Sequence, residues 1–263
     1  MDGHRPVVLI TGASGGIGAD LARVAARHGH DLALVARSAD KLQALADEIA
    51  AAGRTRPFIL PLDLAQPQAC EALALALDEA GLTPAMLVNN AGFGLAGRAA
   101  MLERAGQIEM IDLNIRALTE LTLRFLPAVM AGRGRIMNVA SVAGFLPGPG
   151  MAVYYASKAY VVSFSQALSQ ELEGSGVTVT ALCPGVTATD FHARAGLEMH
   201  LSKWMKPMSS QEVAEAGFAG MMKGRRLVVP GLFNKFATGI VPFMPNGLLL
   251  PVIARMQDKR RDA

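Results

Sequence analysis

Cysteine is nearly missing from this chain: two in 263 residues, Cys70 and Cys183, set far apart. Neither lies in a Cys-x-x-Cys or histidine-rich neighbourhood, so nothing points to a disulfide framework or a zinc site. The histidines (His4, His28, His30, His192 and His200) show no ligand spacing, and no metal is expected. Aromatic side chains amount to 5% and the net charge is only +3. Nucleic-acid binding is therefore left without stacking residues or a basic block before the C-terminus. No basic-then-apolar leader opens the chain, because Thr11 and Gly12 interrupt the first apolar run; a cytoplasmic location is the default expectation.

What the chain has in quantity is aliphatic and alanine side chains, with hydrophobic residues at 51%. The length suits one open α/β sheet, large enough to bury a core without cross-links. Strands are predicted at 6–10, 31–36, 56–62, 85–89, 135–140 and 177–182. Helices are predicted from the glycine-rich turn to about residue 28, then at 41–52, 68–80, 105–131 and 154–173. These strands are aliphatic throughout rather than alternating with polar residues, the mark of parallel strands buried on both faces. The expected fold is α/β, a doubly wound parallel sheet in a single Rossmann-type domain over residues 1–263. Residues 196–210 read as a substrate lid insertion. Residues 227–263 read as a small apolar C-terminal extension where the alternation stops.

Between the first strand and the first helix stands Thr11-Gly12-Ala13-Ser14-Gly15-Gly16-Ile17-Gly18. A glycine-rich turn in that position lets backbone approach a pyrophosphate and presents amide N–H groups at the positive end of the helix. Glycines also collect in loops for turn geometry alone, so it is the placement of Gly12, Gly16 and Gly18 that points to a nucleotide. The second strand ends Val35-Ala36-Arg37-Ser38 with no carboxylate; Asp31 lies at its other end and Asp40 inside the next helix. An acid there bonds a ribose 2′-hydroxyl, whereas a basic residue accommodates a 2′-phosphate. Arg37 with Ser38 thus favours NADP over NAD.

Tyr154 and Lys158, in Tyr154-Tyr155-Ala156-Ser157-Lys158, stand one turn apart on one helix face. A phenol titrates near pH ~10, and an ammonium beside it favours phenolate, which makes tyrosine a usable acid/base. Tyr155 points about 100° away round the helix and cannot share the role. Ser141, after the apolar run 135–140, is placed to bond a substrate oxygen. Tyr-x-x-x-Lys alone also arises by chance.

Together these pieces resemble the classical short-chain dehydrogenase/reductase family over roughly residues 6–190. The glycine motif matches Thr11 to Gly18, and Asp63 followed by Leu64 matches the family's adenine-contacting acid. Asn89-Asn90-Ala91-Gly92 matches its turn after the fourth strand. Asn114, Ser141, Tyr154 and Lys158 match the catalytic tetrad, and Pro184-Gly185-Val186-Thr187-Ala188-Thr189 the segment that embraces the nicotinamide. The resemblance implies that Tyr154 exchanges a proton with the carbonyl oxygen while hydride passes to or from the nicotinamide. It further implies that Ser141 orients the oxygen, Lys158 bonds the ribose and lowers the pKa of Tyr154, and Asn114 holds a water that refills the proton. Position 15 departs from the pattern: it is Gly15 where phosphate-selecting relatives often carry a second basic residue. A homo-oligomer, dimer or tetramer, built through the long helices is implied as well.

The loops expected at the cleft carry Phe93, Leu95, Phe145, Leu146, Met151 and Val153, then Phe191, Leu197, Met199, Leu201, Trp204, Met205 and Met208. They favour an apolar ketone, aldehyde or acyl chain over a sugar, although such side chains also serve simply to pack a lid. From Leu227 to Ile253 the only charge is Lys235, and four prolines divide the run. A membrane-spanning helix is not expected. Burial against another subunit or over the cleft is preferred to shallow membrane docking. The leading function is an NADP-dependent oxidoreductase. The alternative is a catalytically silent nucleotide-sensing or membrane-associated binding protein, against which the intact Asn114, Ser141, Tyr154 and Lys158 argue.

Overall fold

The computed structural model of the chain describes residues 3–188 and 207–261. Six strands appear close to where the aliphatic runs put them. They are β1 (Arg5–Thr11), β2 (Leu32–Ala36), β3 (Phe58–Pro61), β4 (Leu82–Asn89), β5 (Arg135–Val139) and β6 (Thr178–Leu182). Two short strands, β7 (Thr187–Ala188) and β8 (Met208–Ser209), pair with each other apart from the main sheet. A seventh strand of the main sheet, β9 (Leu227–Val228), pairs with Ala181 and Leu182. The main sheet is parallel in the order β3-β2-β1-β4-β5-β6-β9. The strand order reverses between β1 and β4, which opens a crevice beyond the carboxyl ends of these strands.

Both faces of the sheet are covered. Along β1, Val8 and Ile10 face the layer of α1 (Gly16–Arg27), α2 (Ala39–Ala51) and α7 (Ser210–Met222). Val7 and Leu9 face the layer of α3 (Ala69–Glu79), α5 (Leu118–Ala131) and α6 (Ala152–Glu171). That is the two-residue period of a strand, with apolar side chains on both sides.

Three features differ from the sequence reading. The alternation does not stop at residue 226, because α7 and β9 add one more helix and strand. Helix α7 starts on a capping box in which Ser209 accepts from the Glu212 N–H and the Glu212 carboxylate accepts from the Ser209 N–H. The long helix predicted at 105–131 is divided into α4 (Arg104–Ile111), a π turn (Asp112–Ala117) and α5. The C-terminal extension folds as α8 (Leu232–Ile240) and α9 (Asn246–Arg261), parted by a short 3-10 turn that contains Pro242. Within a single chain it is not buried: Leu232, Phe233, Phe236 and Phe243 stand exposed, while Leu249 and Ile253 are covered.

Candidate active site

The sequence-predicted residues converge on one edge of the sheet. Gly12, Ser14, Gly16, Ile17 and Gly18 form the turn from β1 into α1; Arg37 and Ser38 follow β2; Asp63 and Leu64 follow β3; Asn90, Ala91 and Gly92 follow β4. Ser141 follows β5, and Pro184, Gly185, Val186 and Thr187 follow β6. Thr189 and most of the lid predicted at 196–210, including Leu197 and Trp204, lie outside the described residues, as does Phe191.

The glycines are required by space as well as by conformation. Gly12 and Gly16 have φ of 65° and 52°, in the left-handed region that favours glycine. A methyl on Gly18 would sit 2.3 Å from the Gly12 carbonyl oxygen and 2.4 Å from Asn90 Nδ2. That contact is built by Asn90, whose Nδ2 donates to the Thr11 and Gly12 carbonyls at 2.9 and 3.1 Å. The buried Thr11 hydroxyl accepts from the Asn90 and Ala91 N–H groups, both at 3.0 Å. Thr11 thus clamps the turn after β4 onto the turn after β1. Sequence reasoning had it only as the first letter of a motif. The same edge presents the uncapped first turn of α1, where a side chain at Gly15 would meet no atom within 4 Å. Free amide groups beside an open, glycine-lined turn fit a dinucleotide pyrophosphate.

Deeper along the crevice Ser141, Tyr154, Lys158 and Asn114 come together. Tyr154 is buried and hydrogen-bonded to Ser141. Lys158 is buried too; its Nζ donates to the Val139 carbonyl at 2.9 Å and lies 5.9 Å from the centre of the Tyr154 ring. Asn114 sits in the π turn, where its Oδ1 accepts from the Phe93 N–H at 3.1 Å. Its Nδ2 donates to the Phe93 carbonyl at 2.9 Å and to Ser157 Oγ at 3.0 Å. π turns often mark functional sites, because they shift a helix by one residue to aim a side chain. Gly92 makes room for both groups: a methyl there would lie 2.9 Å from Asn114 Oδ1 and 3.4 Å from Lys158 Nζ.

Electrostatics here depart from the sequence reading. Burial pushes the Tyr154 phenol up to about 12; the Ser141 hydrogen bond pulls it down and the neighbouring Tyr155 adds slightly to the rise. Burial in turn pulls Lys158 down to about 8, opposed by the neighbouring Cys183 thiol. Cys183 is itself pushed up to about 12 by burial. The consequence for stability has a definite sign. An unfolded chain keeps the lysine proton to about pH 10.4. Between pH 8 and 10 this lysine therefore binds more protons in the unfolded state and by itself adds stability to the cofactor-free protein as pH rises, while Cys183, kept protonated in the fold by burial, works against it over the same range. Above pH 10 the phenol reverses this, since the folded chain holds its proton longer. Urea unfolding of wild type and Lys158→Met at several pH values checks this. Wild type should gain on the variant from pH 8 to 10, and a constant difference would mean the ammonium is well hydrated.

Three further residues, Glu109, Asn234 and Ser157, were missed. Arg37 is exposed and pairs with Glu109 of α4 at 3.4 Å. Asn234 of α8 abuts the loop after β6, where a methyl on Gly185 would come within 2.4 Å of its Nδ2. Ser157 anchors Asn114, and only its position inside Tyr-x-x-x-Lys hinted at it. Phe93, Leu95, Met151 and Val153 do line the neighbourhood of Tyr154, packed with Met110 and Ala143.

Comparison with known proteins agrees with this architecture. Residues 6–200 match the family model described as short chain dehydrogenase. Sulfoacetaldehyde reductase of Chromohalobacter salexigens is 40% identical over 187 residues, 70% of this chain and 73% of that protein. A short-chain dehydrogenase from Sphingobium yanoikuyae, solved in complex with NADPH, superposes with a TM-score of 0.79 at 35% identity, covering 92% of this chain and 97% of that one. A short chain dehydrogenase/reductase from Burkholderia phymatum, solved with NAD, also has a TM-score of 0.79, at 25% identity, covering 91% and 94%.

Proposed function

The chain belongs to the short chain dehydrogenase family, and we propose that it is an NADP(H)-dependent oxidoreductase interconverting an apolar ketone or aldehyde and its alcohol. The observation that carries this reading is the hydrogen-bonded Ser141–Tyr154 pair with Lys158 alongside, buried in the nucleotide crevice. A bound nicotinamide supplies or accepts the hydride. Tyr154, kept protonated at neutral pH by burial, donates its phenolic proton to the carbonyl oxygen in the reducing direction. Ser141 Oγ holds that oxygen, and Lys158 Nζ is the residue to meet the nicotinamide ribose. Asn114 holds the Phe93 turn against the helix, which keeps Gly92 open in front of Lys158. Gly12, Ser14, Gly16, Ile17 and Gly18 would hold the pyrophosphate, and Asp63 and Leu64 the adenine. Pro184, Gly185, Val186, Thr187 and Thr189 would flank the nicotinamide.

The preference for NADP rests on Arg37 and Ser38, since similar solved structures hold NADPH in one case and NAD in another. An exposed ion pair such as Arg37–Glu109 contributes at most ~1 kcal/mol, so a 2′-phosphate can displace the carboxylate. A charge-assisted bond to phosphate contributes roughly 1.5–3 kcal/mol, so the phosphorylated cofactor should bind about tenfold tighter or more. Titration of both cofactors measures the ratio. Arg37→Ala should collapse it and Glu109→Gln should raise it modestly; equal affinities in wild type would sink the preference.

The apolar residues packed round Tyr154 favour an apolar carbonyl compound. The similarity to a sulfoacetaldehyde reductase favours a small anionic aldehyde as the second reading. Cofactor oxidation measured over a panel of apolar ketones, apolar aldehydes and sulfoacetaldehyde separates the two. A homo-oligomer is part of the proposal, with Ile108, Ile111, Leu123 and Met130 exposed on α4 and α5 as its contact face.

A further inference from the structure

We propose that α8 and α9 form a docking surface for an anionic lipid bilayer, lying in the plane of the interface without crossing it. Helix α8 is turned inside out. Leu232, Phe233, Phe236 and Ile240 fall within about 100° of one another round the helix, and all four are exposed. The opposite side carries Asn234, which donates to the Pro230 carbonyl at 2.7 Å, and Thr238, which donates to the Asn234 carbonyl at 2.9 Å. The polar side thus faces the protein and the apolar side faces out. Phe243, at 87% exposure, and Met244 continue the apolar surface into the next turn. In α9, Leu248, Val252 and Arg255 follow at one-turn spacing and are all exposed, whereas Leu249 and Ile253 pack inward. So large an outward apolar face on a folded chain marks an interaction site.

Charge decides the occupant. Residues 227–263 carry five basic residues (Lys235, Arg255, Lys259, Arg260, Arg261) and two acidic ones (Asp258, Asp262), a balance of +3. This equals the formal charge of the whole chain, so residues 1–226 sum to zero. All the net charge thus belongs to the segment that carries the apolar face, and of its basic residues Lys235 on α8 and Arg255 on α9 stand exposed. Aromatic and aliphatic side chains on one face with basic residues at its margin suit an interfacial helix on anionic headgroups. A second copy of the chain would set Lys235 and Arg255 against their own counterparts, and α4 and α5 already offer Ile108, Ile111, Leu123 and Met130 for self-association. Among the described residues no helix is long and apolar enough to cross a membrane, so the contact is peripheral. Helix α8 packs beside the turn Val142–Phe145 that follows Ser141. Docking therefore turns the cleft toward the bilayer, the source of an apolar substrate; this last consequence rests on the proposed function.

Flotation of the full chain with vesicles tests the idea, and needs neither cofactor nor turnover. Wild type should float with phosphatidylcholine–phosphatidylglycerol vesicles, float less with phosphatidylcholine alone, and be released by salt. The triple change Phe233→Ser, Phe236→Ser and Phe243→Ser should lower partitioning by about tenfold or more, given the apolar area removed. Its turnover on a water-soluble carbonyl substrate should match wild type. Should the triple variant misfold, Lys235→Glu with Arg255→Glu gives the same test through charge and should lose only the anionic vesicles. Wild type that stays unbound to anionic vesicles at low salt overturns the proposal. So does light scattering in which the triple variant falls from oligomer to monomer, because a second copy would then cover the face. A wild type that floats as expected but turns over none of the carbonyl compounds or alcohols would overturn the oxidoreductase reading instead.

Discussion

Tyr154→Phe is expected to lower turnover by about 10²–10⁴-fold, the usual worth of a positioned proton donor, with cofactor affinity nearly unchanged. The substitution isolates the hydroxyl. The ring packs with Met110, Ala143 and Met151, contacts that phenylalanine keeps. Ser141, which loses its bond to the phenol, still accepts from the Ala143 N–H at 3.1 Å and is only half-buried, so its own O–H can turn to water. A melting temperature close to wild type should therefore accompany the loss of rate. Lys158→Ala is expected to reduce both turnover and cofactor affinity, since one ammonium faces the reacting end and the ribose. Steady-state kinetics and cofactor titration on the same preparations distinguish the two patterns. Near-normal ketone reduction by Tyr154→Phe would falsify the assignment of the proton donor.

Gly18→Ala is expected to destabilise the fold and to weaken cofactor binding together. Alanine is the better helix former by about 1 kcal/mol, so propensity alone predicts a gain. The clash opposes it, and the clash should win. The added methyl would lie 2.3 Å from a backbone oxygen and 2.4 Å from an amide already held by two carbonyls, so neither neighbour is a loose end that can swing away. Overpacking of this kind costs roughly 1–3 kcal/mol, and each kcal/mol lowers Tm by about 2–4 °C at this chain length. A shift of the Asn90 clamp by a few tenths of an ångström also moves the amide groups that face the pyrophosphate, and cofactor affinity should fall about tenfold or more. Gly15→Ala is the control. Its φ of 174° is ordinary extended backbone and its added methyl meets nothing within 4 Å, so little change is expected. Thermal melts and calorimetric titration of both variants decide the matter; equal behaviour would show that glycine is there for loop composition alone.

Much of this molecule was legible from local spacing. The run of aliphatic strands and amphipathic helices, the glycine turn placed between strand and helix, and Tyr154 one turn from Lys158 are all properties of short windows. Periodicity and motif order therefore reported the parallel sheet and the crevice edge where Gly12, Asn90, Ser141 and Lys158 meet. What lay outside any window was decided by packing. Leu227–Val228 is too short to show a period and becomes a strand only because Ala181 and Leu182 stand open beside it. The pairing of Arg37 with Glu109, and of Asn234 with the Gly185 loop, joins segments that no spacing rule connects. Spacing set Tyr154 and Lys158 on one face, but burial among Met110, Ala143 and Met151 set the phenol's proton affinity. The pattern in α8 likewise separates an apolar stripe from Asn234 and Thr238, yet cannot say which side faces inward. That orientation followed from the Pro230 carbonyl accepting the Asn234 amide, which leaves Leu232, Phe233, Phe236 and Ile240 facing out.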